Sequence, residues 1–350
     1  MTAALVPLCY DGSSVRRPPR RPFRAGPLTV EYEGGELRYV RLGDREVDLL
    51  LVIYLAVITL SILYPASFFS PGNLRAILNN LAVDGILAVG MMALMISGVF
   101  DLSVGSMMSM VGAVSGWLMA RQGWPVGLAV GAGLGLASLG GLLNGVLVAR
   151  ARVNALITTL GTLGIFQGVA ILVAGPGVAD LPPGFTAPGR AEFLGLQAPV
   201  WLMLGLALVA EYLLGHTRHC RQCYYVGSNA RAARLSGIGV ERVQVAGFTA
   251  MGLIAGLAGL AFAARVGTAV STAGVGAELR VITAVILGGA SLSGGKGSVL
   301  GGLVGVAFMA LVNNALIIAR VSSYWQGIVV GVILVSAVAF DSYQNRSREL

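Results

Sequence analysis

The sequence predicts an all-α, polytopic integral membrane protein with about ten hydrophobic segments, one of them a short half-helix. Three observations lead there. Of 350 residues, 56% are hydrophobic and 11% charged, against roughly 25% charged in an average soluble domain, and the mean hydropathy is +0.80. The 50 glycines lie inside long apolar runs without a three-residue period, which excludes a collagen-like or disordered glycine-rich chain. Finally, apolar runs succeed one another beyond residue 48, and a bilayer core of about 30 Å needs roughly 20 residues per helix. An ordinary soluble enzyme is excluded, and three cysteines cannot build a disulfide framework.

Three regions follow in order. Residues 1–48 form an N-terminal tail: Arg16-Arg17-Pro18-Pro19-Arg20-Arg21-Pro22 has no apolar periodicity and is expected to be disordered or extended. Residues 28–42 alternate around Gly34-Gly35 and read as a small β-hairpin. Residues 49–341 form the transmembrane domain, with apolar segments at 49–64, 77–99, 102–120, 125–149, 155–174, 200–214, 243–264, 281–290, 299–319 and 324–340. The eighth is too short to cross at 1.5 Å per residue and is expected to be a half-helix packed inside the protein. Residues 342–350 are a C-terminal tail.

Charge sets the orientation. With the N-terminus in the cytoplasm, eighteen of the 24 Lys and Arg fall on that side; Arg75, Arg121, Arg190, Arg265, Arg280 and Arg320 fall on the other. Without the tail the balance is still ten to six. The reading is a multi-pass protein of a bacterial-type cell (inner) membrane, both termini cytoplasmic. Topology and anionic lipid account for the net charge of +8, so no nucleic-acid partner is invoked.

Small residues four apart, Gly127/Gly131/Gly135, Gly141/Gly145, Gly252/Gly256 and Gly301/Gly305, predict closely packed helices. The stretch Gly288 to Ser298 invites a phosphate-loop reading but fails it, because Lys296 is followed by Gly297 and not by a hydroxyl residue. No catalytic constellation is visible and the chain is not expected to hydrolyse ATP; a glycine-rich hinge is the better reading of this stretch.

The longest interior break holds the most specific signal. In 229–238, Ser228 or Asn229 can cap a helix of about two turns that Gly237 ends. So short a helix needs something to dock into or a membrane surface to lie on. Ala232, Ala233 and Leu235 are read as its small apolar face, with Arg231 and Arg234 on a flank. Upstream, His216, His219, Cys220 and Cys223 are all potential zinc ligands. Adjacent His219 and Cys220 point apart on a regular backbone, however, so the expectation is reduced thiols and no metal. Asp84, seven residues into the second segment, should face protein or water because a charge in lipid costs roughly 2.5–3.5 kcal/mol. It is read either as a pathway residue or as the structural partner of a backbone group or of an arginine near the outer face. Asp101, at the head of the third segment, can cap that helix, as can Ser103 and Ser106.

As a set, the motifs Ile86 to Met91, Gly98-Val99-Phe100-Asp101-Leu102-Ser103-Val104-Gly105-Ser106, Asn144-Gly145, Thr159-Leu160-Gly161-Thr162, Ala232-Ala233-Arg234-Leu235-Ser236-Gly237-Ile238 and Ser293 to Ser298 resemble those of permease subunits of ABC importers for monosaccharides. The resemblance runs from about residue 70 to 341. It implies that the chain forms the path for a sugar delivered by an extracytoplasmic binding protein. A second permease copy or a paralogue and a separate ABC ATPase subunit complete the assembly, and ATP and Mg are used by that ATPase, with no cofactor on this chain. It implies further that Tyr224, Gly227, Asn229, Ala232, Ala233, Arg234, Ser236 and Gly237 belong to a helix that couples to the ATPase. Asp84, Asp101, Ser103, Asn144, Thr159 and Ser293 are then the pathway or gate candidates. The sequence departs from the family at Ala155-Leu156-Ile157, where Pro-Phe-Ile is usual, at Cys220-Arg221, where Gly-Arg is usual, and at Arg280, where an acid is usual. The alternatives are a self-sufficient secondary transporter or channel, or an ABC permease for branched-chain amino acids or a furanosyl signalling molecule.

Overall fold

The computed structural model describes residues 21–25, 28–33, 36–42, 45–46 and 68–349. Of the stretch 1–24 expected to be disordered or extended, residues 1–20 lie outside the described residues, as does the first apolar segment, 49–64, and residues 21–24 belong to a strand. The expected hairpin pairs β2 (Leu28–Glu33) with β3 (Glu36–Leu42), Glu33 opposite Glu36. Two further strands, β1 (Arg21–Ala25) and β4 (Arg45–Glu46), extend it to a four-stranded antiparallel sheet in chain order. Added strands relieve the marginal stability of a lone hairpin.

A helical bundle follows. Its first helix, α1 (Pro71–Ile96), starts six residues before the apolar run because Ser70 accepts from the Asn73 amide and Pro71 takes the first turn. The others are α2 (Val104–Ala120), α3 (Val126–Gly145) with a π-helical turn at Val146–Arg150, α4 (Ala155–Ala174), α5 (Pro183–Arg190), α6 (Ala198–His216), α7 (Arg218–Ser228), α8 (Ala230–Leu235), α9 (Val240–Val266), α10 (Ala277–Leu287), α11 (Val299–Ile318) and α12 (Ser323–Glu349). Among the described residues, six helices are long and apolar enough to cross a membrane, namely α1, α3 with its π turn, α4, α6, α9 and α11, and shorter apolar helices are α2 and the Trp325–Val338 part of α12. The protein is a polytopic helical membrane protein. The expected half-helix is α10, eleven residues set between Gly276 and Gly288. It begins four residues earlier than its apolar run, because Gly276 adopts a left-handed φ of +77° that breaks the chain there.

Helices α1 and α9 are the packing centre. Helix α9 lies against α1, α2 and α3, and α1 also meets α6, α10 and α11. Small residues permit these approaches. Gly141 and Gly252 face each other, backbone to backbone, across α3 and α9, and Gly305 lies against the Ala284 carbonyl of α10. The stripe Gly127/Gly131/Gly135 departs from expectation, since nothing among the described residues lies within 4 Å of where a side chain would stand. The packed face of α3 is instead Ala129, Gly133, Ala137 and Gly141, again four apart but rotated around the helix. Spacing alone does not tell one such face from another.

Arg75, Arg190 and Arg265 gather at one end of the bundle around Asn79. Arg265 donates to the Asn79 carbonyl, Arg190 reaches the Arg265 and Val266 carbonyls that end α9 (3.1 and 2.9 Å), and Arg75 lies against Gly195. Arg280, counted on the same side, stands deeper. It pairs with Asp84, the fourteenth of the 26 residues of α1.

Candidate functional site

At the end opposite Asn79, three chain breaks meet: the turn after α1, the start of α8, and the glycine loop between α10 and α11. Gly227 sits where they close. A side chain there would overlap the Ile96 carbonyl oxygen and stand about 2.5 Å from the Gly295 amide, so glycine is the residue this contact admits. The Gly295 amide in turn donates to the Ile96 carbonyl at 2.9 Å. Gly294, at φ +83°, lies against both Gly98 and Gly227, and the Ser293 carbonyl faces Gly98. The Tyr224 hydroxyl donates to the Gly297 carbonyl at 3.1 Å. The Val299 and Leu300 amides, unpaired at the start of α11 by helix geometry, donate to the Glu211 carboxylate at 2.7 and 3.3 Å. Glu211 lies in the apolar segment 200–214 and carries the same sequence signal that singles out Asp84, yet the sequence reading did not single it out.

Helix α8 follows from its residues. The Asn229 side chain accepts from the Ala232 amide at 2.9 Å, and Gly237 ends the turn at φ +80°. The expected apolar face divides. Ala233 turns inward and packs with Val226 and Val240, whereas Ala232 is exposed and Leu235 is 85% exposed. The reason is rotation at 3.6 residues per turn: positions 232 and 235 share a face, and 233 lies about 100° away. Arg234 does not stand free on a flank but pairs with Glu241 at 2.9 Å. Beside Ala232 and Ala233 runs a cavity of about 440 Å³, lined also by Tyr225, Asn229, Ser236 and Ile238.

Asp101, Ser103 and Asn144 form one buried cluster. The Asp101 carboxylate accepts from the Ser103 amide (2.7 Å) and hydroxyl (2.6 Å), and the Asn144 amide of α3 donates to Asp101 (3.3 Å) and to the Ser103 oxygen (2.9 Å). Ser103 occupies the cap position of α2 without its side chain accepting a helical amide, because its hydroxyl is committed to Asp101. Ser106 donates to the Ser103 carbonyl and also leaves the cap unfilled. The Asn144 side-chain oxygen, Oδ1, is buried with no hydrogen-bond partner among the described residues. Thr159 stays apart from this cluster; it is buried on α4 and bonds back to the Ala155 carbonyl at 2.9 Å.

Asp84 meets Arg280 in a two-pronged ion pair, Nε to Oδ2 at 3.1 Å and Nη2 to Oδ1 at 3.2 Å. Of the two sequence readings of Asp84, the geometry provides the arginine partner, placed deep in the bundle and not near its outer face. The residues of the zinc reading find other company. The His216 ring stacks on Tyr212 with centroids 4.8 Å apart, Cys220 and Cys223 are free thiols, and no three potential ligands cluster among the described residues. Burial, then the neighbouring Cys220, pushes the Cys223 thiol up to about 11. Burial also raises Tyr224, with Glu211 and Cys223 adding to it, so its hydroxyl remains a donor at neutral pH.

A polytopic bundle with an internal half-helix and a short helix clamped on a glycine loop defines a membrane transport component. The chain belongs to the family described as branched-chain amino acid transport system / permease component, whose profile matches residues 73–338. It is 37% identical over 322 residues to the ribose import permease protein RbsC of Escherichia coli (strain K12), covering 90% of this chain and 99% of that protein. It is 36% identical over 298 residues to the ribose import permease protein of Haemophilus influenzae, covering 84% and 91%. It is also 33% identical over 306 residues to the autoinducer 2 import system permease protein LsrC of Salmonella typhi, covering 87% of each. No solved structure matches the chain.

Proposed function

We propose that this chain is the membrane-spanning permease subunit of an ATP-driven importer and forms the path for a sugar handed over by an extracytoplasmic binding protein. The junction of Gly227, Gly98 and Gly294 carries the reading. A short capped helix that cannot be stable alone follows directly on the end of α7, whose Tyr224 and Gly227 are fastened to the loop ending the half-helix, and its outer face, Ala232 and Leu235, is left exposed beside a groove. A partner that pulls on α8 therefore pulls on α10 through Tyr224 and the glycine contacts.

In this reading the end bearing Gly98 faces the cytoplasm of a bacterial inner membrane, in keeping with the excess of basic residues assigned to that side. Two copies of the chain, or this chain and a paralogue, enclose the path. A separate ABC ATPase binds ATP and Mg and docks at Asn229 to Gly237. Differential docking of the ATPase and the binding protein shifts the path between outward and inward access. Asp101, Ser103 and Asn144 act together as a gate element, Ser293 belongs to the moving loop, and Thr159 is a residue of the path. Relatives named for import of ribose and of autoinducer 2 support a polyhydroxyl cargo.

The test is purification of the C-terminally tagged chain from its native membrane after crosslinking, with its companions identified by mass spectrometry. An ATPase with phosphate-loop motifs is expected, and a second permease beside it would mean a paralogue pair. Recovery of the chain alone would overturn the importer reading in favour of a self-sufficient transporter.

A further inference from the structure

Between α1, α10 and α11 lies a cavity of about 120 Å³ whose walls are aliphatic, through Leu81, Val306 and Met309, and whose polar groups are Asp84, Arg280 and the amides of Asn80, Asn313 and Asn314. A second cavity of about 480 Å³ shares Arg280 and Asn313 and adds Gln326. At 1.5 Å per residue, Asp84 stands about 20 Å from either end of α1, so this polar group of residues sits midway through the bundle. The side chains of Arg280 and Asp84 remain 32% and 28% exposed. Asn73 and Asn314 satisfy each other at 2.7 and 3.0 Å, whereas Asn80 and Asn313 have no hydrogen-bond partner among the described residues.

A charge pair and unpaired amides are costly inside a membrane protein unless something uses them. The carboxylate and guanidinium cancel each other, and the amides offer donors and acceptors together beside apolar walls. A hydroxyl both donates and accepts, so an uncharged polyol can share these groups without breaking the pair. An anion competes with Asp84 for Arg280, a cation competes with Arg280 for Asp84, and either leaves a charge inside the bundle without its partner. Glu278, in the same turn of α10, acts on Arg280 as well and adds to the bias against anions.

We propose that this cavity is a binding station for an uncharged polyhydroxyl ligand within the path, with the Asp84–Arg280 pair as the element that excludes net charge. The proposal rests on the importer reading and deepens it. It is tested on the full chain assembled with its companions in membrane vesicles. Cys9, Cys220 and Cys223 are replaced by serine, and Ala310→Cys, or Ile317→Cys should the first fail to assemble, serves as a reporter for maleimide labelling, since both line the cavity without supplying one of its polar groups. A panel of D-ribose, D-xylose, D-glucose and myo-inositol is added. At saturation at least one should slow labelling about tenfold, and D-ribonate should not. Asp84→Asn and Arg280→Gln should each abolish that protection, and Asp84→Arg combined with Arg280→Asp should restore it. If vesicles import a polyol of the panel, yet none protects and the single variants keep their KM for uptake, the station is overturned and the importer reading stands. Protection by D-ribonate equal to that by the sugars would overturn the charge-exclusion role. If no companion ATPase assembles and no polyol is imported, the importer reading itself fails.

Discussion

The Tyr224 hydroxyl reaches across from α7 to the Gly297 carbonyl at 3.1 Å, so one side-chain bond ties the short helices to the loop ahead of α11. A hydrogen bond of this kind is worth about 0.5–1.5 kcal/mol. Tyr224→Phe should therefore leave the protein inserted and assembled but loosen the tie. The expected result in proteoliposomes is a several-fold fall in substrate moved per ATP hydrolysed, with hydrolysis itself retained. An unchanged ratio would show that the glycine contacts carry the linkage without it.

Gly227 and Gly131 form a matched pair of tests. Gly227→Ala places a methyl group on the Ile96 carbonyl and the Gly295 amide, backbone atoms that cannot rotate away. Overpacking of this sort costs typically 1–3 kcal/mol, read as a lower thermal midpoint in detergent together with loss of uptake. Gly131→Ala meets nothing within 4 Å among the described residues and should change stability by no more than about 1 kcal/mol, in the stabilising direction.

Leu235→Glu and Ala233→Glu separate docking from folding. Leu235 is exposed, so a carboxylate there should block ATPase association and uptake while the permease keeps its thermal midpoint. Ala233 is buried against Val226 and Val240, so a carboxylate there should abolish uptake and lower the midpoint as well. Equal ATPase capture by Leu235→Glu and the unaltered protein would remove α8 from the docking surface. Gly237→Pro, which replaces a residue at φ +80° with one fixed near −65°, should abolish uptake in protein that still inserts.

The thiolate is the reactive form of cysteine, and Cys223 is raised to about 11. Its alkylation at pH 7.5 should be slow and should climb roughly tenfold per pH unit until that value is approached. Replacing both Cys220 and Cys223 with serine should leave uptake unchanged. Loss of folding on adding a chelator to the unaltered protein would instead point to a metal on these residues.

How far these features are legible in the sequence depends on the range of the interaction. Helix α4 and the cap Asn229 are local, and apolar period and capping chemistry are enough to place them. Asp84 stands out as an acid among apolar neighbours, but Arg280 lies 196 residues away, and no local pattern pairs them. The Asp101 cluster divides the same way. The acid and Ser103 are visible as a cap candidate, while Asn144 joins through the packing of α3. The face of a helix that is buried also depends on its neighbours, which is why Gly133 packs and Gly131 does not, and why Ala233 and Leu235 part company.

The shortness of α10 also bears on how the chain enters the membrane. Eleven residues rise about 16 Å, roughly half the hydrocarbon thickness, and Glu278 and Arg280 stand in its first turns. Such a segment has neither the length nor the composition to partition into lipid by itself. Its polar turn is tolerated only once Asp84 of α1 is beside it, and its other end only once Gly301 and Gly305 of α11 close against it. Biogenesis therefore has an order: α10 takes its place only after α1 and α11 are already in the bilayer.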